Sequence, residues 1–285
     1  MRRLAAFAVL ASLACGCGGS RSASGILSDT ASSLDDIKSG TLGFDLLVTP
    51  TRSGSRPFGF KLNGPFSTRG GGLPTTRATY TQIANGKSAT VTLISTGSAG
   101  FITVDGKTYR LPADRLGPLR SATAVFGGAG SSLPLDDWIR DAKVTDGGSV
   151  GGAQTDHVRG RLDLARAVAD LGALAPGGKA LNARERGQLA RAARTATIDV
   201  WSGTKDHLLR KLAIDVDLGL EVPPGLRAAL GNLVGARVQV TLAVGDPNRP
   251  VAAREVSRPS KVKLDRSSAR CGGIDDRPND DAAGR

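Results

Sequence analysis

The sequence predicts an α+β fold, because patterns typical of antiparallel strands occupy both ends of the chain and helical patterns occupy the middle. Strand patterns alternate apolar and polar residues, as at 42–48, whereas helical patterns repeat every three to four residues, as at Leu164, Val168 and Leu171. Hydrophobic residues make up 40% and charged residues 22% of the 285 residues, which is typical of globular proteins. We therefore expect one domain over residues 27–256.

Antiparallel strands are predicted on both sides of the helical middle. In the first half, the alternating segments are residues 42–48, 58–62, 78–83, 89–94, 99–104 and 107–111. Asp105-Gly106 separates the last two, and Asp-Gly at that place is a strong signal for a tight hairpin. In the last third, the alternating segments are residues 197–201, 212–218 and 238–244. Together these segments predict an antiparallel meander.

Helices are predicted from their capping residues and their period. A short amphipathic helix over 26–37 precedes the strands, and a second over 133–139 carries Pro134 near its first position. A third helix follows Asp163, and a fourth follows Asn182, which opens a pattern similar to a capping box. Two further segments lie between the second and third helices. They are residues 146–152, predicted as a glycine-rich loop, and residues 153–162, predicted as a strand.

The first twenty residues predict export and attachment to lipid. Two arginines precede an apolar segment at 4–14, which is long enough for a signal peptide and too short to span a bilayer. Cys17 follows small residues and precedes Gly-Gly-Ser, a pattern that resembles a bacterial lipobox. We expect residues 1–16 to be removed, Cys17 to be acylated and residues 17–26 to form a flexible linker. The protein is then held by lipid on the extracytoplasmic face of the cell membrane.

Alternatives remain for the cysteines. Cys15 is the alternative site of acylation, and the segment could instead be an ordinary secretory signal with two incidental cysteines. Cys271 lies in a polar tail at 257–285 that we predict to be disordered. If cleavage preceded Cys15, Cys17 would be free to pair with Cys271; after cleavage at Cys17, we expect Cys271 to be unpaired.

The net charge of +12 favours contact with anionic surfaces, and lipid headgroups are the natural candidates for an exported protein. Nucleic acid is not expected, since aromatic residues are only 4% and no run of five or more Lys or Arg occurs. The two histidines, His157 and His207, belong to no metal-binding motif. Phosphate-binding fingerprints are also missing, and we therefore expect no cofactor.

One motif favours an enzyme. The segment 147–151 matches Gly-x-Ser-x-Gly, the nucleophile elbow of α/β hydrolases, and Asp199 and His207 follow in the order that those enzymes use. The elbow needs a strand before it and a helix after it, whereas this segment is predicted to lie in a glycine-rich loop. We therefore expect no enzyme and keep a serine hydrolase as the least favoured alternative.

The order of meander, helices and meander behind a lipobox resembles the LolA/LppX/LprG-like family of envelope lipoproteins, whose actinobacterial members bind lipids. The segments that carry the resemblance are Gly64-Pro65-Phe66, FITVDGKTYRLP at 101–112, Trp201-Ser202-Gly203, Leu209-Arg210-Lys211-Leu212 and residues 238–251. It covers roughly residues 27–256. The resemblance implies a curved antiparallel sheet, an incomplete β-barrel, wrapped around several helices.

The resemblance also implies a lipid-binding cavity between sheet and helices. The candidate cavity residues, taken from the alternating apolar faces, are Phe44, Leu46, Phe60, Leu62, Leu93, Ile214, Val216, Val240 and Leu242. Ordinary core packing is the competing interpretation of each. The implied function is binding, and transfer, of a lipid or other hydrophobic ligand by a monomer. The alternative is a structural or interaction lipoprotein with the same fold and a filled core.

Overall fold

The computed structural model describes residues 21–52, 54–70, 73–112, 116, 133–174, 182–219 and 235–251. The predicted signal peptide, the three cysteines and the predicted C-terminal tail lie outside these ranges. The strands are β1 (Ser39–Pro50), β2 (Phe58–Ser67), β3 (Thr75–Ala84), β4 (Lys87–Thr96), β5 (Gly100–Val104), β6 (Lys107–Arg110), β7 (Ile139–Val150), β8 (Ala153–Leu162), β9 (Ala193–Gly203), β10 (Leu209–Leu218) and β11 (Ala236–Gly245).

These eleven strands form one antiparallel sheet in the order β6-β5-β4-β3-β2-β1-β11-β10-β9-β8-β7. The centre of the sheet joins the two halves of the chain, because β1 pairs with β11 from Thr41 opposite Gly245 to Pro50 opposite Ala236. Within the described residues β6 and β7 form the two edges and do not pair with each other, so the sheet is open. The predicted α+β class and the antiparallel sheet are confirmed.

Tight turns set the register of the meander. At the β3–β4 turn Asn85 has φ 53° and Gly86 has φ 72°, and at the β5–β6 turn Asp105 has φ 49° and Gly106 has φ 73°. Positive φ at both central residues is the requirement of a type I′ hairpin turn, for which Asn-Gly and Asp-Gly are the favoured pairs. The hairpin signal in the sequence is therefore confirmed.

The helices pack on one face of the sheet, here called the inner face. Their bounds are α1 (Ala23–Ser32), a 3₁₀ turn (Leu34–Asp36), α2 (Leu135–Trp138), α3 (Leu164–Leu174) and α4 (Ala183–Ala192). α1 packs against β7, β8 and β9, and α2 packs against α1 and β7. Leu27 of α1 and Trp138 of α2 share a buried core with inner-face residues such as Val158, Val200 and Leu242.

Caps explain where the helices begin. Asn182 Oδ1 accepts from the Glu185 N–H at 2.9 Å, and Glu185 Oε2 accepts from the Asn182 N–H at 2.9 Å, which confirms the predicted capping box. The first helix differs from the prediction. Ser22 Oγ accepts from the Gly25 N–H at 3.1 Å, so α1 begins at Ala23, inside the segment predicted as linker, and ends at Ser32.

The segment 146–152 is not a loop between helix and strand, as predicted, but the end of β7 and its turn into β8. β7 is an edge strand, and most of its residues are exposed on both faces. Its side chains therefore do not alternate between apolar and polar types, which is the signal that identified the other strands. The pairing with β8 is also interrupted by two register shifts.

Candidate ligand cavity

A cavity of about 210 Å³ lies on the inner face between β1 and β5, beside the part of the sheet that the helices cover. Its lining residues are Leu42, Phe44, Leu62, Gly64, Phe66, Thr68, Pro74, Thr76, Ala78, Leu93, Ile94, Ser95, Phe101, Leu111 and Leu242. Apolar atoms make up most of its wall, and none of these side chains is charged. The described part of the wall therefore suits an apolar ligand and carries no acidic or basic side chain.

Two small residues lie side by side in the cavity wall. Gly64 of β2 lies against Ala78 of β3, and a Cβ added to Gly64 would come within 2.6 Å of the Ala78 Cα. Larger side chains, among them Phe66, Leu93 and Phe101, surround this pair. In the described ranges α1 packs on β7, β8 and β9, so it does not fill the space above Gly64 and Ala78. The cavity lies above these small residues, beside the part of the sheet that α1 covers.

The cavity has one polar end. Thr68, Thr76 and Ser95 lie where β2 ends, β3 begins and β4 ends. Thr76 Oγ1 donates to the Pro65 carbonyl at 2.7 Å, so its hydroxyl is already satisfied within the sheet. Ser95 is only 4% exposed. An acyl chain in the cavity would therefore find its weakly polar contacts at this end and hydrocarbon contacts elsewhere.

The nine predicted cavity residues share the inner face, as the strand register shows. Four of them line the cavity: Phe44, Leu62, Leu93 and Leu242. The other five lie elsewhere on that face. Four of those five, Phe60, Leu46, Val240 and Ile214, are opposite one another in a single row across β2, β1, β11 and β10. Val216 is 3% exposed and belongs to the core beneath the helices.

Phe60, one member of this row, contacts the cavity wall through its ring. The rings of Phe44 and Phe60 stack with centroids 5.4 Å apart, and the Phe60 and Tyr80 centroids are 5.7 Å apart. Such pairs contribute about 0.5–1.5 kcal/mol beyond the burial of their area. Phe60 therefore packs against a cavity wall while it does not itself line the cavity.

Several lining residues were not among the predicted ones. Gly64, Ala78 and Thr76 carry little or no apolar surface, so no hydrophobic pattern points to them. Phe66 and Phe101 belong to segments that carry the family resemblance, yet the sequence does not show which of its apolar residues surround empty space. The signal that could have indicated them is the pairing of a glycine with an alanine across β2 and β3.

The hydrolase alternative finds no support in the geometry. The segment 147–151 runs from strand β7 into a turn and then strand β8, not from a strand into a helix. Asp199 Oδ1 lies 2.7 Å from His157 Nε2, while His207 Nδ1 lies 3.0 Å from Arg21 NH1. Asp199 therefore pairs with His157, and His207 with Arg21. The Asp199–His207 pair that the hydrolase alternative needs is not formed. Trp201 stacks on the His157 ring at 4.4 Å, on the face of the sheet opposite the helices.

The described residues hold neither a metal site nor a membrane-spanning helix. Within the described ranges, no three His, Cys, Asp or Glu side chains lie close enough together to hold a metal ion. The helices of this same part of the chain are all too short or too polar to cross a bilayer. A groove between α3 and α4 is lined by charged and small residues, among them Asp163 and Arg166, and it is open to solvent. The cavity between β1 and β5 is therefore the candidate for an apolar ligand.

Comparison with known proteins gives structural neighbours only: no protein-family model and no curated protein sequence matches the chain. One similar solved structure is LprF from Mycobacterium bovis, which is 16% identical, covers 84% of this chain and 97% of its own, and has a TM-score of 0.47. The lipoprotein LppX from Mycobacterium tuberculosis is 12% identical over 80% of this chain and 97% of its own, with a TM-score of 0.40. A LolA superfamily protein from Nitrosomonas europaea is 8% identical over 84% of this chain and 99% of its own, with a TM-score of 0.25.

LppX and a LolA superfamily protein thus occur among the similar structures. Identities this low bear on the fold alone.

Proposed function

We propose that this protein is a lipid-anchored lipoprotein of the cell envelope that binds a lipid or another hydrophobic ligand in the cavity between β1 and β5. The observation that carries the proposal is an apolar cavity of about 210 Å³ in which none of the described lining side chains is charged. Cavities with mostly apolar walls accept apolar molecules, because water finds few hydrogen-bond partners along such walls. No step of bond chemistry is needed for this function.

The size of the cavity limits the ligand. If each methylene took the roughly 30 Å³ that a water molecule takes in the liquid, the cavity would hold about seven methylenes. At about 0.8 kcal/mol for each buried methylene, such a segment would contribute about 5–6 kcal/mol to binding. This is enough for one end of one acyl chain. A lipid with two buried chains requires the cavity walls to move apart.

The proposed location rests on the N-terminal sequence. A charged start, an apolar segment and a lipobox-like Cys17 favour export followed by acylation. Attachment through lipid would keep the cavity close to membrane lipids, which is useful for a protein that takes up or delivers one. Arginines at the cavity rim, such as the exposed Arg69 next to Thr68, would attract anionic headgroups.

The experiment that tests this function uses the full chain, produced in a bacterial host and purified from its membranes in mild detergent. Native mass spectrometry is expected to show a fraction of the protein with an added mass that organic extraction removes. The delipidated protein is then expected to enhance the fluorescence of a fatty-acyl probe, saturably and in competition with an unlabelled fatty acid. Absence of both the added mass and the probe uptake would contradict the proposal.

A second candidate function is favoured by one observation. The rings of Phe44, Phe60 and Tyr80 pack against one another on the inner face next to the cavity. A structural or interaction lipoprotein with a filled core would have the same fold and would act through its surface. Such a protein would show neither copurified lipid nor probe uptake, so the same experiment separates the two candidates.

A further inference from the structure

The chain just before α1 is fixed to the sheet at a definite place. Arg21 NH1 lies 3.0 Å from His207 Nδ1 and 3.7 Å from Asp156 Oδ2, and Arg21 NH2 pairs with Asp29 of α1. His207 belongs to the β9–β10 turn and Asp156 lies near the start of β8. Three contacts on three elements thus hold one side chain. The first described residue is therefore docked on the domain.

The strand register defines which end of the sheet this is. At the same end as the β9–β10 turn, β1 begins at Ser39, β2 ends at Ser67, β3 begins at Thr75 and β4 ends at Thr96. We call this the β9–β10 end. The β3–β4 turn with Asn85 lies at the opposite end, ten residues of β3 away. Ten strand residues span about 33 Å.

The polar end of the cavity lies at the β9–β10 end. Thr68 and Thr76 flank the β2–β3 connection, and Ser95 is one residue from the end of β4. By contrast, the lining residues closest to the opposite end include Phe44 and Leu62, which are in the middle of their strands, and Leu242, which lies opposite Phe44. The cavity and the docked N-terminal segment therefore belong to the same half of the molecule.

The length of chain before Arg21 is short. Only three residues separate Cys17 from Arg21, so their Cα atoms can be at most about 14 Å apart. This is less than half of the length of β3. If Cys17 carries the lipid, the Arg21 docking point must lie within that distance of the anchor, while the β3–β4 turn can be much farther away.

We infer that the lipid anchor orients the domain, with the β9–β10 end and the polar end of the cavity facing the membrane surface. The partner of this surface is the headgroup layer of the membrane that holds the anchor. The inference rests on the lipid attachment in the proposed function and adds the direction in which the cavity points. In this orientation an acyl chain can enter from the bilayer at the polar end, without the domain having to turn over.

Spin labels at two matched lysines test the orientation. Lys205 lies in the β9–β10 turn and Lys87 begins β4 at the opposite end, and both are exposed. The full chain with Cys271→Ser and either Lys205→Cys or Lys87→Cys is acylated in the host. It is then reconstituted in phosphatidylcholine vesicles that contain a nickel-chelating lipid. The relaxation enhancement caused by the nickel is expected to be several-fold larger at position 205 than at position 87.

Equal enhancement at both positions, or a larger one at position 87, overturns the inference. A variant with ten Gly/Ser residues inserted between Ser20 and Arg21 is expected to reduce the difference, because such a flexible linker spans about 20 Å on average. A difference that persists unchanged in that variant also counts against the short tether as its cause. Intact mass of each sample shows whether Cys17 is acylated. Lack of the acyl mass overturns the lipid anchor and the orientation that rests on it, whereas acylated protein with equal labels overturns only the orientation. Ligand binding is judged by the probe titration in both cases.

Discussion

Gly64 and Ala78 lie side by side on β2 and β3, so close that a Cβ on Gly64 would come within 2.6 Å of the Ala78 Cα. Both residues line the cavity. Their small size therefore makes this part of the wall a place where added side-chain volume can be used to test both the cavity and the close approach of the two strands.

Replacing Ala78 by Leu is expected to fill part of the cavity and weaken ligand binding. Ala78 is 5% exposed and lines the cavity, so the added carbons would take the place of about two or three ligand methylenes. The loss is expected to be about 2 kcal/mol, or about 30-fold in Kd. Titration with a fluorescent fatty-acyl probe measures it. Ala89→Leu, the same change at an exposed position on β4, is the control and is expected to leave the Kd unchanged. Equal affinity of the two variants would contradict the assignment of the cavity.

Replacing Gly64 by Ala is expected to destabilise the fold. The new Cβ would lie 2.5 Å from the Arg77 carbonyl oxygen, and a backbone group can move only if the strand moves. Overpacking of this kind lowers the free energy of unfolding by about 1–3 kcal/mol. Urea unfolding followed by circular dichroism measures the change. Gly70→Ala, at a glycine with open space around it, is the control. A loss no greater than that of the control would show that β2 and β3 separate easily at this point.

Removing the Asp170 carboxylate is expected to loosen the contact between α2 and α3. Trp138 is 1% exposed, and its Nε1–H donates to Asp170 Oδ2 at 2.8 Å. Asp170→Ala leaves this donor unpaired, which is expected to lower the free energy of unfolding by about 1–2 kcal/mol. Asp170→Asn keeps an acceptor and is expected to lose less. If the Asn variant were as unstable as the Ala variant in urea unfolding, the hydrogen bond would not be the cause.

The Asp215–Arg237 pair predicts a small dependence of stability on pH. Hydrogen bonds from Arg237, against a weaker opposing effect of burial, hold the pKa of Asp215 below its ordinary value. Because the pKa is lower in the folded state, the ionised carboxylate stabilises the fold above the unfolded pKa of about 4. This contribution is lost as the pH falls through the folded pKa.

Asp215→Asn is therefore expected to reduce stability at neutral pH, and its difference from the unchanged protein should shrink below about pH 4. Both side chains are partly exposed, so the effect is small and decreases with salt. Urea unfolding of the two proteins at a series of pH values checks it. A difference that stays constant down to pH 2 would mean that this carboxylate is not responsible.

Acylation is expected at Cys17 and not at Cys15. Cys17→Ala should therefore abolish acylation, so that the protein is found in the soluble fraction or as the unprocessed precursor. Cys15→Ala should leave the acylated protein in the membrane fraction. Detergent phase partitioning and intact mass of the purified protein report the outcome. The reverse pattern would make Cys15 the attachment site. Membrane retention of the double variant would contradict attachment through lipid.

Much of the fold could be predicted because its strands have one buried face. Leu42, Phe44 and Leu46 share the inner face and alternate with residues of the other face, such as the exposed Asp45. The Asn85-Gly86 and Asp105-Gly106 turns fix how successive strands pair. β7 escaped prediction because an edge strand exposed on both faces has no alternation. The start of α1 was misplaced because the helix is capped by Ser22, in a stretch of small polar residues that is typical of a linker.

The cavity was harder to predict than the face on which it lies. Alternation places Phe44 and Val216 on the same face, yet Phe44 lines empty space while Val216 packs in the core beneath the helices. This difference depends on which strands the helices cover, and that depends on contacts between distant parts of the chain. Gly64 and Ala78 line the cavity although their side chains are small or absent. A hydrophobic pattern therefore does not indicate them.

The most direct test of the central claim is photo-crosslinking of the full chain with a fatty acid that carries a diazirine at the end of its chain. Peptide mass spectrometry then locates the attached label. We predict labels on the cavity wall, at residues such as Leu62, Phe66 and Leu93, and their loss in Ala78→Leu but not in Ala89→Leu. Labels confined to the α3–α4 groove, or a folded protein without any label between β1 and β5, would contradict the proposal that this cavity binds a hydrophobic ligand.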